Sequence, residues 1–253
     1  MLICPVCGSK KWTMRYKIGE WEIGECSSCG FARIDPMPHE ESRAKHYSED
    51  MVCVRNVKQR SMLRNFAKNT KHFFKNLTSC DKRGVFYAKL CKYLSPGARI
   101  LDVGCGDGTF LDLAKERFVC TGIEISDYLL YHARKKEGLE IIEGDFLNAD
   151  FKGNRYDGIS LIALLEHLDK PLETVKKCFD LLNKKGLLLL KTVNYNSLNR
   201  RIAKAGWVGF RPPDHVVYFN PANLKTILHK TGFSKINISA LPFSDNMYCE
   251  AYR

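Results

Sequence analysis

Residues 100–110 read ILDVGCGDGTF. An apolar run ends on Asp102, glycines follow at 104, 106 and 108, and a helix-compatible stretch starts at Thr109. That order of strand, glycine turn and helix limits the fold more than any other part of the chain. Glycines let the backbone approach a ligand, and the helix N-terminus behind them favours a negative group. A dinucleotide fingerprint would read G-x-G-x-x-G. Here Thr109 stands where the third glycine belongs, which turns the reading away from NAD(P).

The surroundings of this turn alternate in the same way. The runs ARILDVG, CTGIEIS, EIIEGD, YDGISLIA and GLLLLKTV read as strands. Helical patterns separate them near 109–117, 127–137 and 171–183, and Pro171 sits in a first turn where a missing N–H costs nothing. A further helix near 221–231 opens on Pro221 and ends at Gly232. SKINISAL and MYCEAYR close the chain as two adjacent strands. The expectation is an α/β fold: a doubly wound sheet of five parallel strands with a terminal antiparallel pair. Composition divides the chain into residues 1–34 with cysteine pairs, a basic helix-compatible stretch at 35–94, and the α/β part at 95–253.

Eighteen residues after Gly106 comes Glu124, at the end of the second strand and placed to accept from two ribose hydroxyls. Asp145-Phe146 follows the third strand, a carboxylate for an exocyclic amine and a ring for an adenine face. LDVGCGDG, GIEIS, EGDF and YDGISLIALLEHL, in this order, resemble the class I S-adenosylmethionine (SAM)-dependent methyltransferases, with their Rossmann-like fold. The resemblance covers residues 95–253. It implies that Asp102 and the backbone of Gly104, Cys105 and Gly106 hold the methionine end of SAM. Glu124 holds the ribose and Asp145 with Phe146 the adenine, with Ile125 and Leu161 in the same cofactor-binding set.

The segment after the fourth strand bears on the acceptor. It reads LIALLEHLDKP, without the Asn/Asp-Pro-Pro-aromatic motif of base amino methylation or the Pro-Cys context of cytosine C5 enzymes. Its EHL is similar to small-molecule O-methyltransferases of the ubiquinone-pathway type. Some of those bind a divalent metal through Glu-x-x-Glu-His; here Ala163 takes the first Glu position, so a metal at Glu166 and His167 stays open. Further on, RPPDHVVYF at 211–219 places a histidine behind two prolines expected to hold the backbone extended. This loop resembles one in sugar and surface-polysaccharide methyltransferases. There a zinc-binding module also precedes the domain, and a His after Glu serves as base in deoxysugar C-methylation. The expectation is His215 as general base, Asp214 beside it, and His167 as a further catalytic candidate; the alternative is that His215 only caps the next strand. A base with pKa near 7 contributes ~10²–10⁴-fold to proton removal.

CPVCG at 4–8 and CSSCG at 26–30 form two C-x2-C pairs with 18 residues between them. Four thiolates complete the tetrahedral shell of Zn²⁺ and leave no position for water, so Cys4, Cys7, Cys26 and Cys29 read as a structural zinc ribbon. The other seven of the eleven cysteines are scattered, which suits a reducing, cytoplasmic setting. No run reaches the ~20 apolar residues of a membrane span, and the N-terminus lacks a signal-peptide pattern.

The net charge of +12 is concentrated at 51–93, with eleven Lys/Arg against Asp81 alone. Arg60, Arg64, Lys68, Lys71 and Lys75 stripe one helix face opposite Leu63, Phe66, Phe73 and Leu77. A solvated face, a phosphate site, a nucleic-acid contact through helix 55–78 and a membrane-surface role are all compatible with it. The chain is therefore expected to be a SAM-dependent methyltransferase acting by O- or C-methylation on a small molecule: a sugar, nucleotide-sugar or glycan intermediate. The alternatives are a zinc-ribbon rRNA methyltransferase and a catalytically idle binding module.

Overall fold

The computed structural model describes residues 2–38 and 82–253; the basic stripe of 55–78 lies outside them. Three strands open the chain: β1 (Trp12–Ile18), β2 (Trp21–Cys26) and β3 (Ala32–Asp35). They pair antiparallel, with Gly19 supplying the left-handed turn between β1 and β2. The helix α1 (Lys82–Tyr93) then leads into β4 (Arg99–Val103).

From there strands and helices alternate. They are α2 (Thr109–Ala114), β5 (Val119–Glu124), α3 (Asp127–Ala133), β6 (Glu140–Glu143), β7 (Tyr156–Ile162), α4 (Pro171–Leu181) and β8 (Leu182–Val193). The chain ends with α5 (Leu198–Ala203), β9 (Val217–Tyr218), α6 (Pro221–Thr231), β10 (Lys235–Ser239) and β11 (Asn246–Tyr252). Asn220 and Asn223 form a reciprocal cap on α6, and Gly232 closes it in the left-handed region.

The large sheet runs in the order β10-β11-β8-β7-β4-β5-β6. β6, β5, β4, β7 and β8 are parallel; β11 runs antiparallel to β8, and β10 to β11. The five-plus-two expectation is met. From β4 the chain winds outward through β5 and β6, then returns to the other side of β4 with β7 and β8. Such a reversal opens a crevice at the carboxyl ends of the central strands.

The second sheet has the order β1-β2-β3-β9. Its last strand comes from the far end of the sequence, with Ala32 opposite Tyr218 and Arg33 opposite Val217. One residue later Phe219 bridges to Asn194 at the end of β8. The RPPDHVVYF segment therefore ties the two sheets together. Ile23, Phe31 and Ile34 from the N-terminal sheet join Leu161, Val216 and Phe219 in one buried apolar cluster. Among the described residues no helix is long and apolar enough to cross a membrane.

Packing beneath the glycine turn leaves no slack. A Cβ at Gly122 on β5 would lie 2.7 Å from Cys105 Sγ and 2.8 Å from Leu111 Cδ1. Gly122→Ala is expected to cost ~1–3 kcal/mol through overpacking. The readout is a lower urea midpoint at unchanged slope; a wild-type midpoint would show that Cys105 and Leu111 have room to yield.

Candidate active site

The crevice at the end of β4 is built around buried carboxylates. Asp102 is 3% exposed, and its neighbour in the parallel register is Ser160 on β7. Ser160 Oγ donates to Asp102 Oδ1 at 2.6 Å. Burial pushes the Asp102 carboxyl up to about 7; the Ser160 bond opposes the shift and the nearby Glu124 charge adds to it. Gly104 and Gly106 follow in the left-handed region, at φ 68° and 59°. Glu124, at the end of β5, accepts from the N–H of Gly106 at 2.9 Å and from the N–H groups of Ile125 and Ser126, each at 2.9 Å. The glycine turn and the second acidic residue are thus locked to each other. A left-handed backbone beside two carboxylates suits a ligand bearing an ammonium and vicinal hydroxyls, and in this respect the residues fit SAM.

The other expected cofactor residues divide. Ile125 is 51% exposed beside Glu124 and offers an open apolar surface. Asp145 accepts from the N–H of Asn148 at 3.1 Å and is only half-buried. Phe146 is buried, edge-to-face with Phe151 at 5.7 Å and beneath the Lys177 ammonium. That packing leaves little of its ring open, so its expected stacking face is not presented here. Leu161 and Cys105 are buried too. What they offer a ligand is backbone.

Beyond β7 a 3-10 turn, Leu165–His167, carries the EHL motif. Leu164 sets its position: a Cβ on Gly104 would meet Leu164 Cδ1 at 2.9 Å, so the turn lies directly against the glycine loop. Glu166 is buried, accepts from Thr192 Oγ1 at 2.8 Å, and through its carbonyl from the N–H of Val216 at 2.8 Å. His167 Nδ1 lies 2.8 Å from the Asp214 carbonyl oxygen and 3.1 Å from Asp214 Oδ1. A carbonyl only accepts, so Nδ1 carries the proton and Nε2 the lone pair. The His167 side chain is 13% exposed.

His215 is placed differently. It is 1% exposed and meets the His167 ring edge-to-face at 4.8 Å. Its Nδ1 donates to the Gly209 carbonyl at 2.8 Å, and its Nε2 accepts from Arg211 Nη2 at 2.6 Å. Both ring nitrogens are engaged. Burial, with His167 and Arg211 adding, pushes the imidazole down to about 3. This arrangement does not suit the expected general base: a group with so low a pKa draws a proton poorly near neutrality, and its lone pair already faces a guanidinium. Asp214 likewise serves His167 rather than its own neighbour. The two prolines do not extend the chain either. Pro212 and Pro213 lie in a turn closed by the N–H groups of Asp214 and His215 on the Arg211 carbonyl, at 2.8 and 2.9 Å.

Ligand atoms of Glu166, His167 and His215 lie within 4.8 Å of one another. The cationic Arg211 sits where a metal would approach His215 Nε2, and Thr192 occupies Glu166 Oε2. In this arrangement each of the three is committed to a partner outside the trio: Thr192 for Glu166, Asp214 for His167, Gly209 and Arg211 for His215. The four N-terminal cysteines differ. Their sulfurs lie within 4.8 Å of one another, with Cys4–Cys29 and Cys7–Cys26 both at 3.6 Å. A tetrahedron with Zn–S bonds of ~2.3 Å has edges of roughly 3.8 Å, so the donor set fits one zinc ion.

The sequence pointed to Asp102, Glu124 and the two histidines but missed the residues that hold them. Ser160 and Thr192 were readable only as strand residues, because their partners come from register. Arg211 opens the quoted RPPDH stretch, yet nothing in sequence directs its guanidinium at His215.

Comparison with known proteins places these features. The family described as "Methyltransferase domain" matches residues 80–238. Among curated proteins, the ubiquinone biosynthesis O-methyltransferase of Vibrio campbellii is 26% identical over 170 residues, covering 58% of this chain and 68% of that protein. The protein of the same description from Coxiella burnetii is 31% identical over 106 residues, covering 40% of this chain and 45% of that one. The match thus spans about half to two thirds of these relatives. Among solved structures, magnesium protoporphyrin IX methyltransferase from Synechocystis, with bound SAH, superposes with a TM-score of 0.62 at 17% identity. It covers 85% of this chain and all of that one. At that identity the likeness is one of fold.

Proposed function

Since this chain belongs to the methyltransferase-domain family, we propose that it moves the methyl group of SAM to a hydroxyl of a small molecule, with His167 as general base. The observation that carries the reading is the His167–Asp214 pair, set against the glycine turn by Leu164. SAM, when bound, supplies a methyl group on a sulfonium. The residues of this chain do the rest. Asp102 and the Gly104–Gly106 backbone would hold the ammonium and carboxylate of the methionine end, Glu124 would hold the ribose hydroxyls, and Ile125 offers an apolar surface for the base. His167 Nε2 takes the acceptor's proton as its oxygen becomes nucleophilic, while Asp214 holds Nδ1–H and stabilises the imidazolium. Much of the rate comes from orientation, which the buried hydrogen bonds behind His167 provide.

The acceptor we favour is a sugar, nucleotide-sugar or glycan hydroxyl. The support is the ribbon packed on the 211–219 loop, the combination that resembles the sugar and polysaccharide enzymes. A phenol is the second choice, in line with the names of the curated relatives. The four cysteines hold one structural Zn²⁺ per chain; elemental analysis of metal-replete protein with no zinc would remove that part. The deciding experiment presents SAM with nucleotide sugars, phenols and structured RNA in parallel. Transfer to RNA alone would overturn the small-molecule reading.

Asp102 adds a pH signature. Its carboxyl is pushed up to about 7 in the free protein, and an ammonium ligand favours the charged form. The proton must leave on binding, so SAM affinity should rise with pH and level off above about 7. Calorimetry at pH 6 in buffers of different ionisation enthalpy should show up to one proton released. Affinity flat from pH 5.5 to 8 would place the ammonium elsewhere.

A further inference from the structure

We propose that the cysteine ribbon is the positioning element of the His167–Asp214 pair. Metal at the four thiolates fixes the 209–219 loop, and with it the tautomers of both imidazoles, while the cofactor crevice stands without it.

The path is a run of direct contacts. At the second knuckle Gly30 N–H donates to the Cys26 carbonyl, and Cys26 N–H to the Phe31 carbonyl, both at 2.8 Å. Phe31 begins the stretch that becomes β3 and packs its ring on Phe219 at 5.0 Å. Two residues past the β3–β9 pairing starts, Ile34 N–H donates to the Val216 carbonyl at 3.0 Å. The N–H of Val216 in turn donates to the Glu166 carbonyl, one residue before His167. Val216 is thus held on one side by the ribbon and on the other by the turn that carries the base. Asp214 and His215, just before it, receive their geometry from that clamp.

Further contacts tie the ribbon to this loop and to its neighbours. At the knuckles, Asn220 Nδ2 donates to the carbonyls of Cys29 and Gly30 at 3.3 and 3.4 Å, and Lys230 Nζ to the Val6 carbonyl at 2.5 Å. Away from the knuckles, Tyr16 packs on Phe210 with ring centres 5.4 Å apart, next to the Gly209 carbonyl that fixes His215. Arg200 donates to the Tyr16 hydroxyl at 3.1 Å, and Tyr195 to Glu25 at 3.0 Å. By contrast Asp102 and Glu124 take their bonds from Ser160, Gly106, Ile125 and Ser126, all within 95–253.

The ribbon is too short to keep this shape on its own core: below about 40 residues a metal or disulfide is usually required. Binding free energy at such a site is folding free energy. Without metal, the knuckles lose closure, β3 is left with its pairing to β9 and its buried side chains, and the Ile34–Val216 bond opens more readily. The consequence for rate rests on the His167 reading above; the structural coupling does not. A chain of contacts proves nothing until an equilibrium is shown to respond, so the test reads the loop itself.

Zinc-loaded full-length protein is compared with chelator-treated protein and with Cys26→Ser, all saturated with SAH. Three quantities are read: hydrogen exchange at the Val216 and His215 amides, side-chain ¹⁵N shifts of His167 and His215 at pH 8, and SAH affinity by calorimetry. On metal loss the amides should exchange roughly tenfold faster or more, as for a locally opened segment. The Nδ1–H tautomer signals should give way to averaged ones, and SAH affinity should stay within about threefold, near the scatter expected for an uncoupled site. Unchanged exchange and tautomers in metal-free protein would overturn the proposal. So would SAH affinity lost in parallel, since that marks collapse of the whole fold rather than of the loop. His167→Ala with wild-type turnover would sink the base assignment and leave this coupling standing.

Discussion

His167→Ala is expected to lower kcat by ~10²–10⁴-fold, the range for a positioned general base, with SAH affinity unchanged. The imidazole stands on a 3-10 turn held by Thr192 through Glu166 and by Val216 through the backbone. Its removal takes away a proton acceptor without touching Asp102, Gly106 or Glu124. Asp214→Asn should cost less, about tenfold, the low end of what orienting groups contribute. The Asp214 carbonyl still receives Nδ1–H in that variant; only the carboxylate that steadies the imidazolium is gone. His215→Asn is the control that separates the two histidines. It should change stability more than rate, because His215 is buried between Gly209 and Arg211. A loss of rate in His215→Asn as deep as in His167→Ala would return the base role to His215.

The large sheet was legible because its central strands are apolar runs closed by turn signals, and its last two strands alternate apolar with polar residues. The order of the strands was not read from the sequence; it comes from the pairing in the folded chain. Asp102 and Glu124 were legible for the same reason, since a carboxylate that ends an apolar strand has few other uses. The histidines were legible as candidates and not as roles. In sequence Asp214 and His215 are neighbours, and adjacency suggested a pair. In the folded chain the 211–214 turn aims the carboxylate at His167, 47 positions earlier. Side chains at consecutive positions seldom share a face, which already spoke against an Asp214–His215 dyad. The ribbon's contact with the loop was illegible for a different reason. β9 is two residues long, and a pairing that short, made across the whole chain, leaves no periodic trace.

Trp207→Ala should be the most destabilising single change in the 204–219 segment, by ~3–5 kcal/mol, the cost of emptying a buried aromatic site. Trp207 stands in GWVGF, where its sequence context suggests only a loop. In the structure it is 2% exposed, and its ring meets Phe210 at 5.1 Å and Tyr195 and Tyr218 at 6.4 Å. The chain folds tightly around it: a Cβ at Gly209 would lie 2.3 Å from Trp207 Cη2. The indole N–H donates to Asp245 Oδ1 at 2.6 Å. Asp245 also accepts from Ser197 Oγ at 3.1 Å and Asn199 Nδ2 at 3.2 Å, so one carboxylate joins α5, the 204–219 segment and the start of β11. Truncation opens a cavity beside three aromatic rings and takes one donor from the half-buried Asp245 carboxylate. Trp207→Phe separates these effects: it keeps most of the packing and loses the hydrogen bond, for ~1–3 kcal/mol, the scale for a bond to a charged group. Against a total stability of about 5–15 kcal/mol, the alanine variant should show a much lower urea midpoint at unchanged slope. A midpoint shift without change of slope also requires that the loop and the large sheet unfold together. If instead the variant shows a second, earlier transition, the loop and ribbon form their own cooperative unit, and the Tyr195–Glu25 and Ile34–Val216 bonds are too weak to make the chain unfold as one.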